Sequence, residues 1–140
     1  MPHEMFTHSW AMAWGEEIRA NEAYREAART WEWPIVLTMK EDRELGVPER
    51  SVYADLFRGD CREARAATPA DLESAPFVLA GEARNWKRVL DGELEPISGI
   101  MRGKLKLARG SLATLLPYVP AAKQLVVSAT RVETLFPEGL

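Results

Sequence analysis

The sequence has few of the residues that form disulfides and zinc sites, and it has no excess of positive charge. Its 140 residues include one cysteine, Cys61, and two histidines, His3 and His8, and the formal net charge is −3. A single cysteine excludes an internal disulfide, and the histidine spacing misses the i, i+4 arrangement that aligns two zinc ligands on one helix. An acidic chain also lacks the basic surface that phosphate contacts require. We therefore expect no metal, no cofactor and no nucleic-acid partner.

Groups suited to catalysis are equally scarce. Cys61 would need a general base, and the two histidines lie far from it near the start of the chain. Ser98 and Ser111 adjoin glycines without forming the G-x-S-x-G turn of a hydrolase, and Gly99 and Gly103 form no phosphate-binding loop. The sequence therefore predicts a protein that is not an enzyme and has no catalytic residues.

Long hydrophobic runs are also missing. The longest uncharged run, residues 110–122, contains Pro117 and Pro120 and is too short to span a bilayer. Residues 1–10 lack the basic start and apolar stretch of a secretory signal. We therefore expect a cytoplasmic protein without an integral membrane segment.

The hydrophobic residues that are present follow two periods. A helical period from Ser9 to Trp31 predicts one long first helix, which Pro34 ends. Alternation predicts five strands, and Gly59-Asp60 indicates a tight turn between the second and third. The predicted strands span residues 35–40, 52–57, 61–68, 77–80 and 103–108.

Short helices are predicted between and after the last two strands. Their apolar positions lie within residues 86–90, 97–101, 111–116 and 121–131. We therefore predict an α+β fold in a single domain spanning residues 1–140, with a five-stranded, mostly antiparallel sheet and helices packed on one face.

The stretch from Trp86 to Leu116 combines glycines, one proline and a G-K-L-K-L run in a fixed order. In these positions the chain resembles the C-terminal half of the sterol carrier protein type 2 or non-specific lipid-transfer family. The resemblance covers about a quarter of the chain, and the earlier residues agree with the family in the order of a helix followed by strands. The matching positions are Trp86, Leu90, Gly92, Leu94, Pro96, Met101, Gly103, Lys104, Leu105, Lys106, Leu107 and Gly110.

The resemblance implies an apolar tunnel between the sheet and the helices, and a soluble, non-catalytic carrier of a fatty acid, acyl-CoA, phospholipid or sterol. Residues 116–120, interrupted by prolines, are a candidate lid. The predicted lipid-binding residues are Leu37, Met39, Leu56, Phe77, Trp86, Leu90, Ile97, Ile100, Met101, Leu105, Leu107, Leu112, Leu115, Leu116 and Val119.

Two alternatives stay open at this point. The dense apolar residues are also compatible with a solid core, in which case the protein would be an interaction or dimerisation module that uses Leu125, Val126 and Leu135 of its last segment. Arg102, Lys104 and Lys106 are suited to meeting an anionic head group such as a carboxylate or phosphate, and the alternative for Lys104 and Lys106 is the charged outer face of an edge strand.

Overall fold

The computed structural model describes residues 1–140 and has the predicted α+β architecture. Its helices are α1 (His8–Arg19), α2 (Glu22–Ala27), α3 (Pro69–Ser74), α4 (Ala83–Leu90), α5 (Pro96–Met101), α6 (Leu112–Leu115) and α7 (Val119–Thr130). Its strands are β1 (His3–Glu4), β2 (Ile35–Met39), β3 (Arg50–Phe57), β4 (Asp60–Ala66), β5 (Phe77–Gly81), β6 (Lys106–Arg109) and β7 (Thr134–Leu135). A 3₁₀ turn, Leu116–Tyr118, joins α6 to α7.

The main sheet has five strands in the order β4-β3-β2-β5-β6. Three of its four pairings are antiparallel, and the central pairing of β2 with β5 is parallel. The prediction of a five-stranded, mostly antiparallel sheet is therefore confirmed. The strands β1 and β7 form a separate two-residue parallel ladder that joins the two ends of the chain, and nothing in the sequence pattern indicated it.

Alternation along β2 divides its side chains between the two faces of the sheet. Ile35 and Leu37 lie on the face covered by most of the helices, where thirty buried residues form the main core. Val36 points to the other face, where it packs against Val78 and Leu72 of α3. The helices are therefore concentrated on one face as predicted, and the short α3 covers part of the other.

The expectation of one long first helix is wrong, because Asn21 divides it in two. The backbone of Asn21 is extended, and its side-chain oxygen accepts a hydrogen bond from the Tyr24 amide at 3.0 Å, so it caps α2. Its amide group also donates to Ser128 Oγ in α7 at 3.0 Å. Asparagine forms such caps readily, and here the cap and the contact with α7 outweigh a continuous helix.

The hairpin between β3 and β4 turns one residue earlier than predicted. Arg58 and Gly59 have φ angles of 50° and 85°, and Phe57 pairs with Asp60 across the turn. Two central residues with positive φ are typical of a type I′ hairpin, whose twist matches that of the flanking strands. A Cβ on Gly59 would also collide with the carbonyl oxygen of Arg25, so glycine is required here for two reasons.

The strand β6 begins later than predicted. Gly103 has a φ of 73° and follows the end of α5, so residues 103–105 turn the chain before pairing starts at Lys106. Leu105 is buried all the same, since its side chain packs against Gly81 and Gly99. The strand β6 pairs only with β5 and therefore forms one edge of the sheet.

Candidate functional site

An apolar cavity lies between the helix-covered face of the sheet and the helices α1 and α7. The volume between its wall atoms, including the opening to solvent, is about 790 Å³. No charged residue lines it. The lining residues are Trp10, Trp14, Tyr24, Trp31, Ile35, Leu37, Leu56, Leu79, Trp86, Val89, Leu90, Pro96, Ile97, Leu115, Tyr118, Ala121, Ala122, Leu125, Val126 and Ala129.

Leu37 gives the clearest local sign that this space is not filled. It lies at the middle of β2, which is the central strand of the sheet and has buried residues on either side of Leu37. Leu37 is nevertheless only half-buried, and it lines the cavity. A side chain at such a position is normally covered by the opposite layer, so part of its surface here faces the cavity.

Four indole rings belong to the cavity wall and present only carbon atoms to it. The N–H groups of Trp10, Trp14, Trp31 and Trp86 donate hydrogen bonds of 2.6 to 3.1 Å to a threonine hydroxyl or to backbone carbonyls. Burial raises the pKa of Tyr24, which also lines the cavity, above its usual range and keeps its phenol neutral. Because the polar donors of the tryptophans are already bonded, this wall favours apolar ligands.

Aromatic side chains surround one end of the cavity. The ring of Tyr118, on the 3₁₀ turn, lies edge-on to Trp31 with the ring centroids 4.9 Å apart. Its hydroxyl is hydrogen-bonded to Thr30 Oγ1 at 2.9 Å. Phe77 and Trp33 pack against Trp31 from the other side, with centroids 5.0 Å away. One hydrogen bond and one aromatic contact therefore join the 3₁₀ turn to the segment between α2 and β2.

Six of the predicted lipid-binding residues line the cavity, and the others lie elsewhere. Phe77 belongs to the aromatic cluster at its end, Met39 and Leu105 are buried in the core, and four more are half-buried against that core. The six lining residues are Leu37, Leu56, Trp86, Leu90, Ile97 and Leu115. The four half-buried residues are Ile100, Leu107, Leu112 and Val119.

Two predicted residues lie on the surface instead of the cavity wall. Met101 is 66% exposed because α5 ends there and no element packs over its last turn. Leu116 is 46% exposed. It begins the 3₁₀ turn, whose tighter winding directs Leu116 outward and brings Tyr118 to the cavity.

Sequence reasoning missed most of the wall that the helices supply. In α1 and α7 the lining positions recur every three or four residues, as along one helix face, and this period was visible in the sequence. The sequence leaves open whether the last helix plugs the tunnel, lines it or mediates a dimer, and all of the predicted lipid-binding residues lie among residues 37–119. The lining residues missed are Trp10, Trp14, Tyr24, Trp31, Ile35, Leu79, Val89, Pro96, Tyr118, Ala121, Ala122, Leu125, Val126 and Ala129.

No reactive group faces the cavity. Burial raises the pKa of the Cys61 thiol to about 11, and its Sγ contacts the Glu63 carbonyl at 3.6 Å. His8 does not line the cavity, and its ring accepts a hydrogen bond from the Ala66 amide at 3.1 Å. No cluster of three histidine, cysteine or carboxylate side chains is arranged for a metal ion. The arrangement is suited to binding through apolar contact.

The helical stretch Leu112–Thr130 has the length and composition of a membrane span. It contains 19 residues with a mean hydropathy of 1.2, and 22% of it is buried. Pro117 and Pro120 interrupt it, and α7 packs against α1 and α2. Several of its half-buried apolar residues line the cavity, which accounts for their hydropathy without a membrane. Length and composition alone are weak evidence for a span.

The chain is similar to several solved structures, while no family model and no curated protein matches it. A crystal structure of sterol carrier protein 2 is 41% identical, with 92% of this chain and 99% of that chain covered and a TM-score of 0.83. A conserved hypothetical protein of Thermus thermophilus, described as possibly a sterol carrier protein, is 39% identical, with coverages of 96% and 94% and a TM-score of 0.85.

A more distant likeness shares the fold alone. Palmitated SCP2L2 from Aedes aegypti is 17% identical to the chain, with 77% of this chain and 91% of that chain covered and a TM-score of 0.50. The identity and coverage of the first two structures go well beyond a shared fold, and they extend over the N-terminal half that the sequence motif left out. The chain therefore belongs to the sterol carrier protein 2 family.

Proposed function

We propose that this protein is a non-catalytic lipid carrier that holds the acyl chain of a fatty acid, an acyl-CoA or a similar lipid in the cavity between the sheet and α7. The observation that carries the proposal is the cavity itself, which has no charged lining residue and leaves Leu37 half-buried on the central strand. Membership of the sterol carrier protein 2 family supports the same function.

The apolar wall is sufficient to bind such a ligand. Each methylene transferred from water contributes about 0.8 kcal/mol, so a chain that buries about ten of them gains about 8 kcal/mol before ordering costs. A net gain of that size would correspond to binding in the micromolar range, and the ordering costs reduce the affinity below that value. Neighbouring chain lengths would differ by about 1 kcal/mol per methylene, so we expect loose selectivity among acyl chains.

We also propose that the 3₁₀ turn acts as a lid. Its contacts with the rest of the protein include one hydrogen bond, from Tyr118 to Thr30, and one edge-on ring contact with Trp31. Pro117 and Pro120 prevent α6 and α7 from forming one continuous helix across it. Opening would break these two contacts and would uncover the aromatic end of the cavity.

The alternative function is an interaction or dimerisation module with a filled core. Its predicted surface consisted of Leu125, Val126 and Leu135. The first two line the cavity, so only Leu135, which is 50% exposed, is left to meet a partner. We therefore favour the carrier, and a sedimentation experiment over a wide range of concentrations tests the alternative through its monomer–dimer equilibrium.

Leu115→Asp tests the carrier function, because Leu115 lines the cavity and is 8% exposed. We expect the variant to lose palmitate binding, since the chain would have to pack against a charge or keep that charge hydrated inside the cavity. The measurement is a titration of delipidated protein with palmitate, with circular dichroism to verify the fold. Leu135→Asp makes the same chemical change outside the cavity and should leave binding unchanged. Equal palmitate affinity in both variants would refute the proposal.

We further propose that the 140 residues work as one lipid-binding domain in the cytoplasm. The thirty buried residues of the main core come from elements at both ends of the chain as well as from its middle. The single cysteine is a free, buried thiol, which requires no oxidising compartment.

A further inference from the structure

Beyond the carrier function, we propose that residues 101–109, here called the basic edge, dock the protein onto a negatively charged lipid bilayer. The basic edge contains Arg102, Lys104, Lys106 and Arg109 and no acidic residue, in a chain whose net charge is −3. The remaining residues are therefore more negative than the chain as a whole. This separation of charge would orient the protein with its basic edge toward an anionic surface.

The four cations of the basic edge are free to meet phosphate groups. All four are exposed, and none lies within 4.0 Å of a carboxylate, whereas most other arginines of the chain are in ion pairs. Arg109 donates one hydrogen bond of 2.8 Å to the Ala75 carbonyl, which neutralises no charge. Such cations can bind anions without first breaking an ion pair.

The fold brings these side chains to one border of the molecule. The strand β6 is the edge of the sheet, and its residues Lys106 and Arg109 pair with Ala80 and Val78. The register shift between these two pairs puts both cations on the sheet face turned away from the cavity. Arg102 and Lys104 lie in the exposed turn that precedes the strand. The cations thus extend along the whole edge.

Met101 decides between a bilayer and other anionic partners. It is 66% exposed and precedes Arg102 in the chain, so a flexible apolar side chain reaches solvent beside the first of the cations. Charges alone would suffice to prevent pairing of the edge strand or to bind nucleic acid, and neither role uses an exposed methionine. An apolar residue among cations is typical of surfaces that enter the head-group region of anionic membranes.

One end of the basic edge, at Met101, lies near the cavity, whereas Lys106 and Arg109 are on the other face of the sheet. Ile97 lines the cavity and lies one helical turn before Met101 in α5, about 6 Å along the helix axis. A bilayer bound at Met101 would therefore lie next to one wall of the lipid site. In this respect the inference rests on the proposed carrier function, for which docking would bring the cavity to its source of lipid.

The first experiment compares flotation of the protein with vesicles of phosphatidylcholine alone and with an equimolar mixture of phosphatidylcholine and phosphatidylglycerol. We expect binding only to the anionic vesicles, and weaker binding as salt is added. Lys104→Gln with Lys106→Gln should weaken it by about 30-fold, at about 5-fold per cation. The control variant, Arg62→Gln with Arg131→Gln, removes the same amount of charge from β4, the opposite edge strand, and from the residue after α7. It should change vesicle binding little. Equal losses in both pairs would overturn the proposal.

The second experiment locates the contact with two matched methionines. An environment-sensitive dye is attached to the cysteine of Met101→Cys or of Met12→Cys. In the parent protein Met101 is 66% exposed and Met12 is 50% exposed. Cys61 is buried and stays unlabelled. On anionic vesicles we expect a blue shift of the dye at position 101 and none at position 12. A shift at position 12 alone would assign docking to α1 and overturn the proposal.

Two controls separate this inference from the carrier function and from nucleic-acid binding. The variant Lys104→Gln with Lys106→Gln should bind palmitate in the absence of vesicles as the parent does, since neither lysine lines the cavity. If the parent protein bound palmitate but did not bind anionic vesicles, the docking inference would be refuted and the carrier function would still stand. Tighter binding of a DNA duplex than of anionic vesicles would assign the basic edge to nucleic acid instead.

Discussion

Leu37→Phe distinguishes an open cavity from a solid core by the sign of its effect on stability. Leu37 is half-buried at the centre of β2 and lines the cavity. Phenylalanine adds three carbons, and at about 0.8 kcal/mol each their burial in the cavity contributes at most about 2.4 kcal/mol. Ordering of the ring and small shifts of neighbouring side chains reduce this gain, and we expect delipidated protein to be more stable by about 1 kcal/mol. This corresponds to a rise in Tm of about 3 °C.

The same substitution should weaken lipid binding, because the ring takes space that the acyl chain would occupy. Exclusion of about three methylenes costs about 2.4 kcal/mol, or roughly a 50-fold loss of palmitate affinity. Stability is measured by urea unfolding of delipidated protein, and affinity by palmitate titration. An increase in stability combined with a loss of affinity is the result that an open cavity requires.

Leu105→Phe is the matched control, since it makes the same change at a buried leucine outside the cavity. The Cδ2 atom of Leu105 lies 2.6 Å from the position that a Cβ on Gly81 would take, so this site has no spare room. Overpacking there should lower the free energy of unfolding by about 1 to 3 kcal/mol. If Leu37→Phe destabilised the delipidated protein to the same extent, the space at Leu37 would be filled and our reasoning would be refuted.

Two further predictions concern the lid and the pH dependence of stability. Tyr118→Phe removes the hydrogen bond to Thr30, which is worth about 1 kcal/mol. We therefore expect bound palmitate to be released to acceptor vesicles about 5-fold faster in a stopped-flow assay. Tyr53→Phe makes the same change on the other face of the sheet and should leave the release rate unchanged. The guanidinium of Arg65 lowers the pKa of Asp71 from 3.8 to about 2. The resulting stability, about 1 to 2 kcal/mol, is therefore complete above about pH 4 and is lost as the pH falls toward 2. Urea unfolding from pH 6 to 2 should accordingly be less pH-dependent in Asp71→Asn, and an unchanged pH dependence would contradict this assignment.

The residues of the sequence motif that indicated the family are residues that the backbone geometry and the packing require. Gly103 has a positive φ and ends the turn after α5, while Gly110 lies against Phe77, whose ring leaves no space for a Cβ. Trp86 fixes α4 to the sheet through a 2.8 Å hydrogen bond from its indole to the Thr38 carbonyl. Such requirements depend on backbone geometry and close approach, which restrict both the residue type and its spacing. This is why so short a segment was informative.

The site was only partly predictable, because the period of the apolar residues indicates which side chains are buried but not whether a buried side chain lines the cavity or fills the core. Ile97 and Leu105 have the same buried character, yet Ile97 lines the cavity while Leu105 fills the space beside Gly81 and Gly99. Met101 lies one helical turn after Ile97 and was expected beside it. It is exposed because α5 ends at that residue, which is a boundary that pattern reasoning locates poorly.

By itself, the sequence determined the five strands of the main sheet, most of the helices and the α+β class, because the period of the apolar residues fixes which side chains of an element avoid water. The scarcity of histidine and cysteine also predicts a site without a catalytic group, and this stays a prediction. Only the tertiary structure decided that β2 pairs with β5 in parallel, that α1 and α7 supply much of the cavity wall, and that Leu37 is left partly uncovered. The physical reason is that a solid core and a lipid cavity require the same apolar side chains. They differ in whether atoms from distant parts of the chain fill the space between them.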